Sequence, residues 1–260
     1  MLFRSALVLA ALVWVLPGAG RGGQRGFARA DLAGLWRYGL LSLLFGGYFV
    51  LMFEGLKTAD PLSTGAIFTL LPLMAGLVAW PLLGQHLGPG LVAVLLVGAA
   101  GALWVIFRGD ADAMLRLDLG RGEGMYALGC VLHAFYTPLL RRLNRGEGAL
   151  VTATLVSAAG FVLLGLWYWR DLSLTDWAAL SPLFWVTLIY LALIATALTA
   201  TAMQFAAQRL PASKVSAYTY AIPVWIILWE AALGHGGPGL VVLPGIALIA
   251  LALALLLRRD

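Results

Sequence analysis

Charge is scarce in this chain of 260 residues: 11% of positions are Asp, Glu, Lys or Arg, 62% are hydrophobic, and the mean hydropathy is +0.93. Soluble domains carry about a quarter charged residues, so a separate soluble enzyme or binding module is excluded. A single cysteine, Cys130, leaves no partner for an internal disulfide. No G-x-x-x-x-G-K-[ST] loop occurs, so ATP-driven work would need another subunit. H-E-x-x-H, G-x-S-x-G and Cys/His ligand clusters are missing too. The reading therefore has no catalytic residues, no metal site and no cofactor. Asp110, Asp112 and Asp118 stand among arginines in a polar loop and read as solvated charge. The net charge of +5 lies mostly at the ends of apolar runs, where it sets orientation in a bilayer and is no nucleic-acid footprint.

Long apolar stretches dominate what remains. Bounded by charge, Gly or Pro, they cover 4–18, 36–56, 63–84, 90–107, 123–140, 148–168, 183–207, 213–233 and 239–257. A helix that crosses a bilayer needs about 20 apolar residues. None of the runs alternates with period two, and lipid leaves no backbone amide unpaired, so nine spanning helices are expected rather than a barrel. Lys and Arg fall eleven on one side and six on the other of the total of 17. The positive-inside bias then puts the C-terminus in the cytoplasm and the N-terminus outside. The run 4–18 also fits a signal peptide, with Arg4, an apolar core and Pro17-Gly18-Ala19-Gly20. Cleavage there would turn the arginine-rich loops to the wrong side, which favours a span.

The chain also repeats itself. Leu83-Gly84-Gln85-His86-Leu87-Gly88-Pro89-Gly90-Leu91-Val92 returns, one residue shorter, as Leu233-Gly234-His235-Gly236-Gly237-Pro238-Gly239-Leu240-Val241. Pro61 and Pro72 are echoed by Pro211 and Pro223, and Arg108/Asp110 by Arg258/Asp260, about 150 residues on. The runs 4–18, 36–56, 63–84 and 90–107 correspond to 148–168, 183–207, 213–233 and 239–257, while 123–140 has no counterpart. The repeating unit is therefore five helices. An odd number inverts the second copy, as in transporters with a midplane cavity.

Gly55-Leu56-Lys57-Thr58-Ala59-Asp60-Pro61, Ser63–Pro72 and Leu83-Gly84 resemble the first-half pattern of the drug/metabolite transporter superfamily, EamA type. Gln208–Ser216, Ala221-Ile222-Pro223-Val224 and Leu233-Gly234 resemble its second half, and 123–140 with Arg141-Arg142 is similar to its sixth helix. The resemblance implies an all-α polytopic membrane fold of two five-helix repeats and export or import of amino acids, other metabolites, nucleotide-sugar-like compounds or drugs. On that pattern residues 1–110 form a first repeat of four helices lacking its first, 111–122 a linker, and 123–260 a second repeat of five. Gln85 and His235 replace a Glu frequent in the family after the Leu-Gly pair.

Polar residues inside apolar runs are costly and call for an explanation. Glu54, three residues before Lys57, reads as an interfacial pair or as a coupling site, with Gln204 at its repeat-equivalent position. Glu230 reads as an interfacial anchor or a coupling group. His133, near the centre of its run, is either a proton or substrate contact or a neutral packed imidazole. Pro72 and Pro223 predict kinks that free the carbonyls of Phe68 and Thr219. Tyr218, Tyr220 and Trp225 flank Pro223 and read as packing or as flat contacts for an organic substrate; Tyr48 and Tyr136 are of the same type. Trp36, Trp104, Trp169, Trp177 and Trp229 suit an interfacial belt. Gly98/Ala102 and Gly124/Leu128 suggest small-residue helix contacts.

The sequence thus predicts a multi-pass protein of the plasma or inner membrane, a permease for small organic molecules by alternating access, with export the expected direction. Its partners are a small-molecule substrate and the lipid bilayer, with no nucleic acid. A homodimer is left open. The alternative is a non-transporting or truncated membrane component acting as an accessory or regulatory subunit.

Overall fold

A computed structural model describes residues 34–59, 61–116, 120–177, 179–192, 198–234 and 239–258. The run 4–18, with both of its readings, lies outside them. Every regular element among the described residues is a helix. In chain order these are α1 (Trp36–Gly55), α2 (Pro61–Thr69), α3 (Leu71–Leu83), α4 (Pro89–Ile106), α5 (Ala111–Leu115), α6 (Arg121–Leu143), α7 (Ala149–Trp167), α8 (Trp169–Leu174), α9 (Pro182–Ala192), α10 (Thr199–Ala207), α11 (Ala212–Ala217), α12 (Ile222–Ala232) and α13 (Leu243–Leu257). Five stretches among the described residues are long and apolar enough to cross a membrane: Trp36–Gly55, Ser63–Leu83, Pro89–Ile106, Ala149–Trp167 and Leu240–Leu257. Large apolar side chains such as Leu43, Leu77, Leu166 and Leu251 stand on their outer faces. The chain is an all-α, multi-pass membrane protein.

Proline and glycine punctuate these helices. Pro61, Pro72, Pro89, Pro182, Pro223 and Pro244 each sit at the first or second position of a helix, where their missing N–H costs nothing. The run 63–84 is accordingly broken at Leu70, between α2 and α3. The run 213–233 is broken by a 3-10 turn, Tyr218–Ala221, between α11 and α12. The Thr219 carbonyl that Pro223 would leave free accepts the Ile222 N–H, so the tighter turn repairs the ladder. The duplicated Leu-Gly pair has one backbone role: Gly84 (φ +66°) and Gly234 (φ +78°) both adopt the left-handed conformation just past α3 and α12.

The described residues form two compact units. One runs to Gly47 and from Leu139 to Arg209; the other takes Tyr48 to Pro138 and Leu210 onward. The chain therefore passes from one to the other inside α1, after Gly46-Gly47, and inside α6, after Pro138. In the first unit α7 packs on α10, with Ala153, Val156, Ser157, Gln204 and Ala207 buried.

In the second unit the closest packing joins α4 to α13, where Gly98, Gly101 and Ala102 face Gly245, Ile249 and Ala252. This realises the small-residue contact expected at Gly98/Ala102. Gly124 and Leu128 make no such contact: nothing lies within 4 Å of a Cβ at Gly124, and Leu128 is 53% exposed. Gly122 and Gly129, seven residues apart and so on one face of α6, meet α1 instead. Elsewhere α3 packs on α11 through Ala75, Ala79 and Ala212. Trp104 Nε1–H donates to the Val241 carbonyl at 2.7 Å.

Candidate functional site

In α6, Tyr126, Cys130, His133 and Tyr136 recur at three- and four-residue steps and so share one stripe of the helix. Glycine brings α1 against that helix. A Cβ at Gly129 would stand 3.2 Å from the Tyr48 carbonyl, and one at Gly55 only 2.6 Å from the Gly122 carbonyl. At this separation the Tyr48 ring stacks on His133, centroids 4.6 Å apart and planes 29° apart. Phe68, from the last turn of α2, and Tyr136 each lie 6.4 Å from the imidazole. Tyr48, Cys130 and Tyr136 are buried, and both imidazole nitrogens are shielded from solvent. Tyr48, Tyr126 and Cys130 pack together as one buried cluster.

The result is a packed aromatic cluster whose polar handles are an imidazole, phenol hydroxyls and a thiol, with no formal charge among the side chains named. Such a surface can stack flat groups and exchange hydrogen bonds with neutral ones. Three of the residues singled out in the sequence, Tyr48, His133 and Tyr136, thus meet in one unit. Phe68, Tyr126 and Cys130 complete the cluster unannounced; the stripe spacing along 126–136 was the signal that could have found the last two.

The other candidates stand apart. Tyr220 is fully buried, its hydroxyl donating to the Leu95 carbonyl at 2.9 Å and its ring against Gly98. Tyr218 and Trp225 are 51% and 60% exposed. Gln204 is buried in the first unit. Glu54 pairs with Lys57 at 2.6 Å on an open surface, at the end of α1. Glu230 lies in α12, with its side chain outside the described ones.

Two polar arrangements escaped the sequence reading. Gln85 Oε1 accepts the Ala212 N–H at 3.3 Å, so the residue after the first Leu-Gly pair caps α11 from a distant part of the chain. Arg37 is no loop charge in solvent. Its side chain is 4% exposed and pairs with Glu147 at 3.0 Å.

The model of the EamA-like transporter family matches residues 120–258, a little more than half of the chain. An uncharacterized transporter of Bacillus subtilis (strain 168), YyaM, is 26% identical over 143 residues, which cover 52% of this chain and 47% of that protein. The chain thus aligns with about half the length of that curated relative. A protein of known crystal structure superposes with a TM-score of 0.70 over 100% of this chain and 88% of its own, at 23% identity, a likeness of fold.

Proposed function

The chain belongs to the EamA-like transporter family, and on that premise we propose that it is a secondary transporter exporting small organic metabolites, such as amino acids or drugs, by alternating access. A membrane transporter is the general reading the family carries; cargo, direction and coupling are the proposal. The single observation behind the choice of cargo class is the cluster of Tyr48, Phe68, His133 and Tyr136, whose rings offer stacking and neutral hydrogen bonds. A first repeat of four helices (1–110) and a second of five (123–260), of opposite orientation and divided at 111–122, supply the rocking halves in this reading.

His133 is the proposed coupling or substrate contact. Glu54 fits an interfacial anchor better, since its partner Lys57 and Glu54 itself are 64% and 45% exposed. The orientation proposed from the Lys/Arg bias keeps the C-terminus and the 141–148 loop in the cytoplasm of a cell bounded by this membrane.

The test has two steps. Cells overproducing the protein are challenged with a panel of amino acids and toxic analogues, and a cargo that confers a growth difference is followed in proteoliposomes. Export predicts resistance and saturable flux that His133→Ala abolishes while the protein stays folded. Flux indifferent to an imposed pH gradient removes proton coupling. Flux unaltered by His133→Ala and by Tyr48→Leu removes the aromatic cluster from the path.

A further inference from the structure

Two interrupted helices meet inside the second unit. One is α2–α3, broken at Leu70; the other is α11–α12, broken by the turn Tyr218–Ala221. Their prolines, Pro72 and Pro223, are an echoed pair of the sequence. At one end the two are joined: α3 packs along α11, with Ala75, Ala79 and Ala212 buried in the seam and Leu83 against it. At the other end α2 and α12 each pack on α4.

A polar contact fastens the joined end. Left-handed Gly84 (φ +66°) lets its own N–H reach the Trp80 carbonyl at 2.9 Å and the Gln85 N–H reach the Ala79 carbonyl at 3.4 Å. Leu87 then folds back so far that a Cβ at Gly76 would stand 2.7 Å from its side chain. From this anchored base Gln85 Oε1 accepts the Ala212 N–H at 3.3 Å. That amide stands in the first turn of α11, where the helix offers it no carbonyl.

The rest of the seam is slight. Lipid gives apolar helices no drive to associate, and alanine methyl groups supply few van der Waals contacts. By contrast α4 and α13 interlock at Gly98, Gly101 and Gly245. Each partner in the seam is also interrupted beside it, α3 at its start and α11 at its end, and a broken ladder is where a helix bends most easily. A bend at Leu70 reaches the aromatic cluster: Phe68 before it and Met74 after it both pack on Tyr48, Tyr126 and Cys130.

We propose that the α3–α11 seam is a gate and Gln85 its latch. The two helices part and rejoin by bending at Leu70 and at Tyr218–Ala221, while α4 and α13 stay packed. Gln85 is a positioning residue in this scheme, since it acts on the gate and touches no cargo. The gate's use in transport rests on the transporter reading. Its test needs no cargo, so a seam that stays shut leaves that reading standing, and failure to find a transported compound leaves the test standing.

The full chain is held in nanodiscs and its amide exchange followed. Gln85→Ala should quicken exchange about threefold, the factor for one hydrogen bond between membrane helices, over both 79–83 and 212–217 and leave α4 and α13 unchanged. Gln85→Glu keeps an acceptor oxygen and adds charge at a helix start, so it should slow exchange over the same two stretches. It also reads the latch should Gln85→Ala fail to fold. A second readout is Ala79→Cys, whose thiol would stand where the side chain is buried and meet a polar maleimide only through an open seam. Adding Gln85→Ala should raise its labelling rate about threefold, with fully buried Cys130 as the internal reference. Exchange that quickens at 212–214 alone makes Gln85 a simple helix cap and overturns the proposal. Equal quickening in α4 and α13, or an unaltered labelling rate at Ala79→Cys, overturns it as well.

Discussion

Gly101 and Gly245 meet backbone to backbone. A Cβ on Gly101 would stand 2.8 Å from the Gly245 carbonyl oxygen, and one on Gly245 would stand 2.7 Å from the Gly101 carbonyl oxygen. Between apolar helices in lipid there is no hydrophobic drive to associate, so close van der Waals fit is what holds α4 to α13.

A methyl at either position must push whole helices apart, because carbonyl oxygens cannot rotate away. Gly101→Ala and Gly245→Ala should each destabilise the protein by about 1–3 kcal/mol, as overpacking does. The double variant should cost less than the sum, since the first methyl has already opened the seam. Gly124→Ala, with nothing within 4 Å, is the control. It should gain about 0.5–1 kcal/mol from helix propensity. Thermal unfolding in one detergent reads all four.

Gln85 tests the family pattern directly. Its Oε1 caps the start of α11 through the Ala212 N–H. Gln85→Ala should cost about 0.5–2 kcal/mol, as loss of a helix cap does. Gln85→Glu restores the family's usual residue and sets a full negative charge at a helix start, with a gain of about 0.3–1 kcal/mol that fades in high salt. Equal stability of all three proteins would mean the contact carries nothing.

Tyr220→Phe removes the hydroxyl that donates to the Leu95 carbonyl but keeps the ring against Gly98. The expected loss is about 0.6 kcal/mol, typical of hydrogen bonds between membrane helices. Tyr218→Phe, at an exposed position, should leave the unfolding temperature unchanged.

Glu147 gives stability a defined dependence on pH. Burial disfavours its charge, yet the N–H groups of Arg145 and of Glu147 itself and the Arg37 guanidinium outweigh that. Together they hold the carboxyl below its ordinary value of 4.5. A depressed carboxylate contributes stability that is complete above its unfolded value and is lost as pH falls through the folded one. The gap in unfolding temperature between wild type and Glu147→Gln should therefore be constant from pH 8 to about 5 and shrink as the pH falls below that. A gap that closes near pH 6 would assign the titration to another group.

Much of this was legible. Apolar runs gave the helices, Pro72 and Pro223 gave the two breaks, and the i,i+3 spacing gave the Glu54–Lys57 pair. Helix faces were not legible, because in runs where nearly every residue is apolar no polar stripe says which side packs. Tyr218 and Tyr220 are two positions apart and chemically almost alike, yet one is exposed and the other fully buried. The Arg37–Glu147 pair was not legible, because the two residues lie 110 positions apart and neither carries a local sign of the other. The Leu-Gly pair was visible as a repeat, but its left-handed glycine needed the backbone angle to explain it.

Within the second unit α1 meets α6 both at Tyr48 and at Gly55, and this makes the length of helix between the two contacts a fixed quantity. One residue added between Tyr48 and Gly55 would turn one of them by about 100° relative to the other, so that the Tyr48 stack on His133 and the Gly55 contact with Gly122 could not both form. Insertions and deletions can be absorbed where the chain turns back on itself, around Gly109 or Gly146, but inside these two rods each added or missing residue rewrites the wall it belongs to.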